Sequence, residues 1–252
     1  MIEKERQFYI LSRLQSQPTV SIKELCLEMK VSKSTVQRDL EHLEAQGKIK
    51  RARGGATRIG FEKTISDLTE GPVSTKIGVN TEAKKVIAKA AAAQIKDGDL
   101  VFIDSGTTVL ELMPFLSHKS IKIVTYSVIL LSYLGSAASD VYLLGGKYSP
   151  KHQICTGPAA INELMAFRFD KAIISANGVD AELGEAYTSE IDVGDLKHRA
   201  IERAKQSFLL VDATKFGETG LSTFAHFEDF QQVITDQPIK GSRRYKNIVI
   251  AK

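Results

Sequence analysis

The chain has 252 residues, 43% of them hydrophobic, with 34 Lys/Arg against 30 Asp/Glu; this excludes a disordered polyelectrolyte and leaves room for two domains. No apolar run approaches the roughly 20 residues of a membrane span, and the charged opening MIEKERQFYI lacks a signal-peptide core. Cys26 and Cys155 are too few for a disulfide scaffold, so the expected location is the cytoplasm, with no membrane partner.

The basic excess is local. Residues 1–58 carry 12 Lys/Arg against 7 Asp/Glu, a net +5, whereas the rest carries 22 against 23, a net −1. A basic module joined to a near-neutral body points to a reader of polyanions attached to something else.

Three helical patterns open the chain. Phe8, Leu11 and Leu14 repeat at helical spacing in the first, which Pro18 ends. Ser21 and Glu24 have capping-box spacing for the second, whose buried face is expected to be Ile22, Leu25 and Met29. Ser32 is a good cap for the third, in which Val36, Leu40 and Leu43 form one apolar stripe. Ser32, Lys33, Ser34, Thr35, Gln37 and Arg38 then cluster at its front, largely off the stripe. A helix-turn-helix presents that end of its second helix to the major groove, where such side chains contact phosphates and base edges. Asp39, acidic in this setting, is expected to pair within the protein or to cap a neighbour. KIKRARGGATR follows; its alternating cations and Gly-Gly suit a hairpin wing, with Lys50, Arg51 and Arg53 along the DNA backbone.

VSKSTVQRDLEHLEAQGKIKRARGGA resembles the winged-helix signature of the DeoR family of bacterial sugar-operon regulators. Gln37 stands where the family usually has Arg, and Arg53 where it has His.

Weak periodicity and Gly71-Pro72 mark residues 59–75 as a linker between a DNA-binding domain, 1–58, and a second domain, 76–252. In the latter, helical and strand patterns alternate: TEAKKVIAKAAAAQI, with Thr81 as a plausible cap, then LVFIDSG, TTVLELMPFL, IKIVTYS, VILLSYLG and DVYLLGG. KAIISANG, SFLLVDATK, QVITD and NIVIAK supply later strands. The fold class is α/β with a mostly parallel sheet. Ligands of such sheets bind beyond the carboxyl ends of the strands. Five of those ends are small and polar: DSGTT, TYS, the glycine pair at Gly145 and Gly146, NGVD and DATK. Together they favour a phosphate-bearing ligand over featureless loops.

In the same order, DSGTT, TYS, LLGG, the NG segment, DVGDLKHRAIERA and DATKFG resemble the family's effector-sensing domain, and Lys84 falls at a family lysine. The resemblance implies a sensor related in fold to phosphosugar isomerases that binds a phosphorylated sugar. It carries over Asp104, Ser105, Gly106, Thr107 and Thr108 as the ligand loop, Thr125, Gly145, Gly146, Asn177 and Lys215 as pocket residues, and Glu190 and Lys197 as further candidates. The expected protein is a ligand-responsive repressor, homo-oligomeric as a dimer or tetramer, bound to double-stranded operator DNA, with no cofactor. The alternative is a phosphosugar isomerase or deaminase with a basic appendage. Against it, Asn177 replaces the leading Asp of the enzyme pattern, although Asp180 and Glu182 remain. A structural nucleic-acid binder without a ligand would leave the polar strand ends unexplained. His152-x-x-Cys155 has no second ligand pair, and the five histidines are expected to be surface or packing residues.

Overall fold

The computed structural model describes residues 2–16, 19–52, 54–58, 64–65, 70–134, 140–239 and 244–252. Arg53, expected in the wing, lies outside them. The chain divides into two compact units, residues 1–62 and 63–252.

The first unit contains α1 (Glu3–Ser16), β1 (Thr19–Ser21), α2 (Ile22–Met29), α3 (Lys33–Ala45), β2 (Ile49–Ala52) and β3 (Gly55–Arg58). Ser21 and Glu24 form the capping box on α2, and Lys30 ends that helix in the left-handed conformation at φ 53°. Ser32 caps α3 by accepting from the Thr35 amide at 3.3 Å. The strands form one antiparallel sheet in the order β1-β3-β2. Gly55 is required where β3 crosses β1, because a Cβ there would collide with the Val20 carbonyl. Val36, Leu40 and Leu43 are fully buried against Ile10, Leu14, Leu25 and Ile49. Phe8 departs from expectation: it is 74% exposed, and Ile10 takes the core position with Leu14. An i, i+4 pair keeps one helix face, whereas extending the stripe back to Phe8 rotates it outward.

The second unit begins with β4 (Thr64–Ile65), α4 (Thr81–Ala92), β5 (Leu100–Ile103), α5 (Thr107–Leu110), α6 (Met113–Leu116), β6 (Lys122–Thr125) and β7 (Asp140–Leu143). It continues with β8 (Lys147–Ser149), β9 (Ile154–Thr156), α7 (Pro158–Met165), β10 (Phe169–Ser175), β11 (Gly178–Asp180) and β12 (Glu185–Thr188). The last elements are α8 (Ile191–Glu202), β13 (Ala204–Leu210), β14 (Thr219–Gly220), β15 (Ser222–His226), β16 (Gln232–Thr235) and β17 (Ile248–Ile250). Seven parallel strands run in the order β17-β16-β13-β10-β5-β6-β7.

Side chains alternate across this sheet, as strand geometry demands. Val101, Ile103, Ile173 and Phe208 pack with α4, α5 and α6, while Phe102, Ala172, Ile174 and Leu209 pack with α7 and α8. Burial on both faces accounts for the continuous apolar runs of the central strands, whereas the edge strands β7 and β17 stay half-buried or exposed. A second, antiparallel sheet, β11-β12-β15, packs on α8.

Three local expectations change. The cap of α4 is Asn80, with Thr81 as the first helical residue. VILLSYLG forms a 3₁₀ stretch, Ile129–Tyr133. Within the stretch read as a linker, Thr64–Ile65 pair in parallel with Thr219–Gly220, and Val73–Thr75 form a 3₁₀ turn whose Val73 joins the core. Among the described residues no helix is long and apolar enough to cross a membrane.

Candidate functional site

In the first unit, α3 presents Lys33, Ser34 and Arg38 to solvent, with Thr35 and Gln37 half-buried beside them. Ser32 Oγ lies 2.9 Å from both Ser34 Oγ and Thr35 Oγ1, so its first role is to build the helix front. The buried Asp39 has the internal partner expected of it. Arg6 Nε donates to Oδ2 at 2.6 Å and Nη2 to Oδ1 at 3.0 Å, a bidentate pair that ties α1 to α3. In the wing, Lys50 and Arg51 are exposed. The Arg51 amide donates to Glu44 at 2.9 Å and its guanidinium to Glu41 at 3.1 Å, which fastens the hairpin to α3.

In the second unit the chain leaves β5 for β6 and β7 on one side and reaches β10, β13, β16 and β17 on the other. The strand order therefore reverses between β5 and β10, and the crevice belongs at their carboxyl ends. A cavity of about 260 Å³ lies there. Ser105, Gly106, Thr107 and Thr108 line it after β5, Ser175 and Asn177 at β10, and Lys215 after β13, with Glu190 and Lys197 on α8 and its approach.

Four expected residues are placed differently. Asp104 is fully buried behind the cavity. Its Oδ1 accepts from Tyr126, and its Oδ2 from the Ser175 amide (2.9 Å) and Ser175 Oγ, with Lys197 Nζ at 3.1 Å. Burial alone would raise this carboxyl, but Lys197 and the Ser175 and Tyr126 bonds outweigh it and hold it below the ordinary range. Asp104 thus positions the loop and Lys197, whose ammonium also donates to the Ser175 carbonyl at 2.7 Å. Thr125 is buried and its Oγ1 accepts from the Ser127 amide. Gly145 donates its amide to Glu163, and Gly146 packs against the Thr156 carbonyl. These last three sit at the ends of β6 and β7, on the far side of the reversal, which is why they do not line the cavity.

Several lining residues were not anticipated as site residues. Lys84, on α4, donates from Nζ to Thr107 Oγ1 at 2.9 Å and to the Lys76 carbonyl at 3.0 Å. Burial and the nearby Lys215 lower its pKa against the pull of Asp212 and Glu111. Lys76 is lowered further, to about 7, by burial and by Lys215, Lys197, Lys84 and Lys151. Glu70 is buried and contacts Lys76, Asn177 and Ser189. His152, expected to be a surface or packing residue, lines the cavity 3.3 Å from Glu190. Thr188 Oγ1 and Asp212 Oδ2 are buried in the wall without a hydrogen-bond partner among the described residues. The resemblance marks Lys84; nothing periodic marks Glu70 or Lys76. Asp180 and Glu182, the carboxylates of the enzyme alternative, are not lining residues: Asp180 Oδ1 accepts from the Glu182 and Leu183 amides within a turn.

Two family models match. Residues 6–60 match a DeoR-like helix-turn-helix domain, and residues 79–237 a DeoR C terminal sensor domain. The uncharacterized HTH-type transcriptional regulator FruR of Bacillus subtilis is 34% identical, over 100% of this chain and 98% of that protein. The lactose phosphotransferase system repressor of Lactococcus lactis is 35% identical over 95% and 93%, and the HTH-type transcriptional repressor GlcR of B. subtilis 32% over 94% and 90%. A solved ribose 5-phosphate isomerase A from Methanocaldococcus jannaschii is similar at a TM-score of 0.41 and 16% identity, over 54% of this chain and 55% of that one.

Proposed function

This chain belongs to the DeoR family of transcriptional regulators, a helix-turn-helix unit followed by a sensor domain, and from that premise we propose that it represses a sugar-utilisation operon until a phosphorylated sugar binds the cavity between β5 and β10. The observation that carries the reading is the cavity's chemistry. Lys76, Lys84, Lys197 and Lys215 converge on it together with the Ser105–Thr108 turn. Ammonium groups, hydroxyls and backbone amides close together suit a phosphate, and buried acceptors such as Asp212 Oδ2 and Thr188 Oγ1 suit sugar hydroxyls. The names of two relatives, a lactose phosphotransferase system repressor and the repressor GlcR, support a sugar-linked operon.

The DNA-binding side is assigned to Ser32, Lys33, Ser34, Thr35, Gln37 and Arg38 on α3 and to Lys50, Arg51 and Arg53 in the wing. The regulator works in the cytoplasm as a homo-oligomer, so that paired wings read half-sites spaced by whole turns of the duplex. The phosphosugar shifts the population toward an arrangement with weaker operator affinity.

The test compares phosphorylated sugars with the same free sugars, by thermal melting and by operator binding. A phosphorylated sugar at about 100 times its dissociation constant stabilises the native state by about 2.7 kcal/mol. Lys84→Met removes that response and leaves operator binding in the absence of sugar unchanged. Equal responses to free and phosphorylated sugars would refute the assignment.

A further inference from the structure

The carboxylate of Glu70 is held as a bound anion would be. Lys76 Nζ and Asn177 Nδ2 (2.6 Å) donate to its Oε1, and Ser189 Oγ donates to its Oε2. The three donors come from three places: the turn before α4, the loop after β10 and the residue after β12. An ammonium, an amide and a hydroxyl meeting on two oxygens form a general carboxylate or phosphate cradle. Only the tether to the chain distinguishes Glu70 from a ligand.

The same cavity holds the Ser105–Thr107 turn with Lys84. Lys197 is matched by Asp104, and Glu190 lies 3.3 Å from the His152 ring. Among the remaining charged lining side chains, Lys76, Lys84 and Lys215 face Glu70, Asp212 and Glu190. Moving Glu70 out leaves three ammonium groups facing two carboxylates. A single phosphate on the turn uses Lys84 and does not require Glu70 to move.

We propose that Lys76, Asn177 and Ser189 form a second anion subsite, occupied by Glu70 in the unliganded protein, and that the effector is a sugar bearing two anionic groups, of which one binds the Ser105–Thr107 turn and the other displaces Glu70. The inference rests on the reading of this cavity as the phosphosugar site. A phosphate brings more charge and more acceptor oxygens to the same donors than a carboxylate, and the released Glu70 is rehydrated, so exchange favours the ligand.

The experiment titrates the full-length protein calorimetrically with matched sets of fructose, tagatose and glucose, each as the 1-phosphate, the 6-phosphate and the 1,6-bisphosphate. In one set the bisphosphate binds at least about tenfold more tightly than either monophosphate, the equivalent of one charge-assisted hydrogen bond. Glu70→Gln, which keeps the shape and removes the competing charge, tightens that bisphosphate by about a further tenfold and the monophosphates by less than about threefold. Ser189→Ala erases the bisphosphate advantage. Melting curves show whether each variant is folded, and Glu70→Ala repeats the measurement if Glu70→Gln is not. A monophosphate that binds as tightly as its bisphosphate overturns the second subsite and leaves the phosphosugar reading standing. Weaker bisphosphate binding to the folded Glu70 variant makes Glu70 a ligand-contacting wall residue and overturns the displacement. No binding by any sugar phosphate, to wild type or variant, overturns both readings.

Discussion

Replacing Gly106 by alanine tests how the ligand loop is built. Gly106 has an ordinary extended backbone, φ −70° and ψ 149°, so its substitution introduces no torsional strain. The penalty is purely steric. A Cβ would lie 2.6 Å from the Ser175 Cβ and closer still to its Oγ. Ser175 cannot turn aside freely, because its Oγ donates to the buried Asp104. Overpacking costs about 1–3 kcal/mol, and a weakened hydrogen bond to a charged group adds roughly 1.5–3 kcal/mol. A total loss of about 2.5–6 kcal/mol, at about 2–4 °C per kcal/mol for a domain of this size, lowers the melting temperature of the second unit by roughly 5–24 °C. The phosphosugar-induced stabilisation falls with it. Ser175→Gly removes both colliding atoms, so the double variant Gly106→Ala/Ser175→Gly is more stable than the sum of the single losses predicts. Differential scanning calorimetry of the four proteins decides the matter. A Gly106→Ala protein that melts with the wild type, or strictly additive losses in the double variant, refutes the steric account.

Arg38→Ala weakens cognate operator binding by roughly 1–3 kcal/mol if it reads a base, whereas Lys50→Ala weakens all sequences alike and reduces the salt slope by about one; anisotropy titrations over a salt series separate the two, and unchanged binding in both variants removes the assignment. Arg6→Ala strands the buried Asp39 carboxylate and destabilises the first unit by about 3–5 kcal/mol, whereas Arg6→Ala/Asp39→Leu recovers a large part of the loss; chemical denaturation measures both. Lys76, with its pKa lowered to about 7, is the ammonium of the Glu70 cradle below that pH and loses its proton above it, so a phosphorylated ligand bound at pH 8 restores the charge and takes up a proton. Affinity therefore falls as pH rises through 7, with Glu70, Lys84, Lys151, Lys197 and Lys215 as the charges around the amine. Because the unfolded chain keeps this proton up to about pH 10.4, the group's contribution to stability rises with pH between about 7 and 10.4. Titration at pH 8 in two buffers of different ionisation enthalpy reads the uptake, and identical enthalpies would contradict it.

What the sequence made legible was local. Ser21 with Glu24, Ser32 before α3, and the Val36, Leu40, Leu43 stripe depend on contacts within a few residues, and each stands as expected. The central strands of the parallel sheet were legible because burial on both faces leaves uninterrupted apolar runs. Strand order was not, and strand order decides which polar ends meet. Ser105 and Asn177 share a wall because β5 neighbours β10, whereas Thr125 and Gly145 are carried away with β6 and β7. Glu70 and Lys76 escaped because their segment has no periodicity, and their role comes from partners more than 100 residues distant, Asn177 and Ser189, or from packing near α4. The short strands β11, β12 and β15 were missed because three to five residues do not establish an alternation.

The placement of β5 beside β10 also governs when the sensor comes into being. Val101 pairs with Lys171, and the cavity wall runs from Glu70 to Lys215. A wall assembled from such separated segments forms only after a long loop has been closed, which makes its folding slow compared with the local helices of the first unit. Chains are also made from the amino end, and domains fold as they emerge. A growing chain therefore completes its helix-turn-helix unit while the segments that wall the cavity have yet to meet, and the two units of one molecule come into being one after the other.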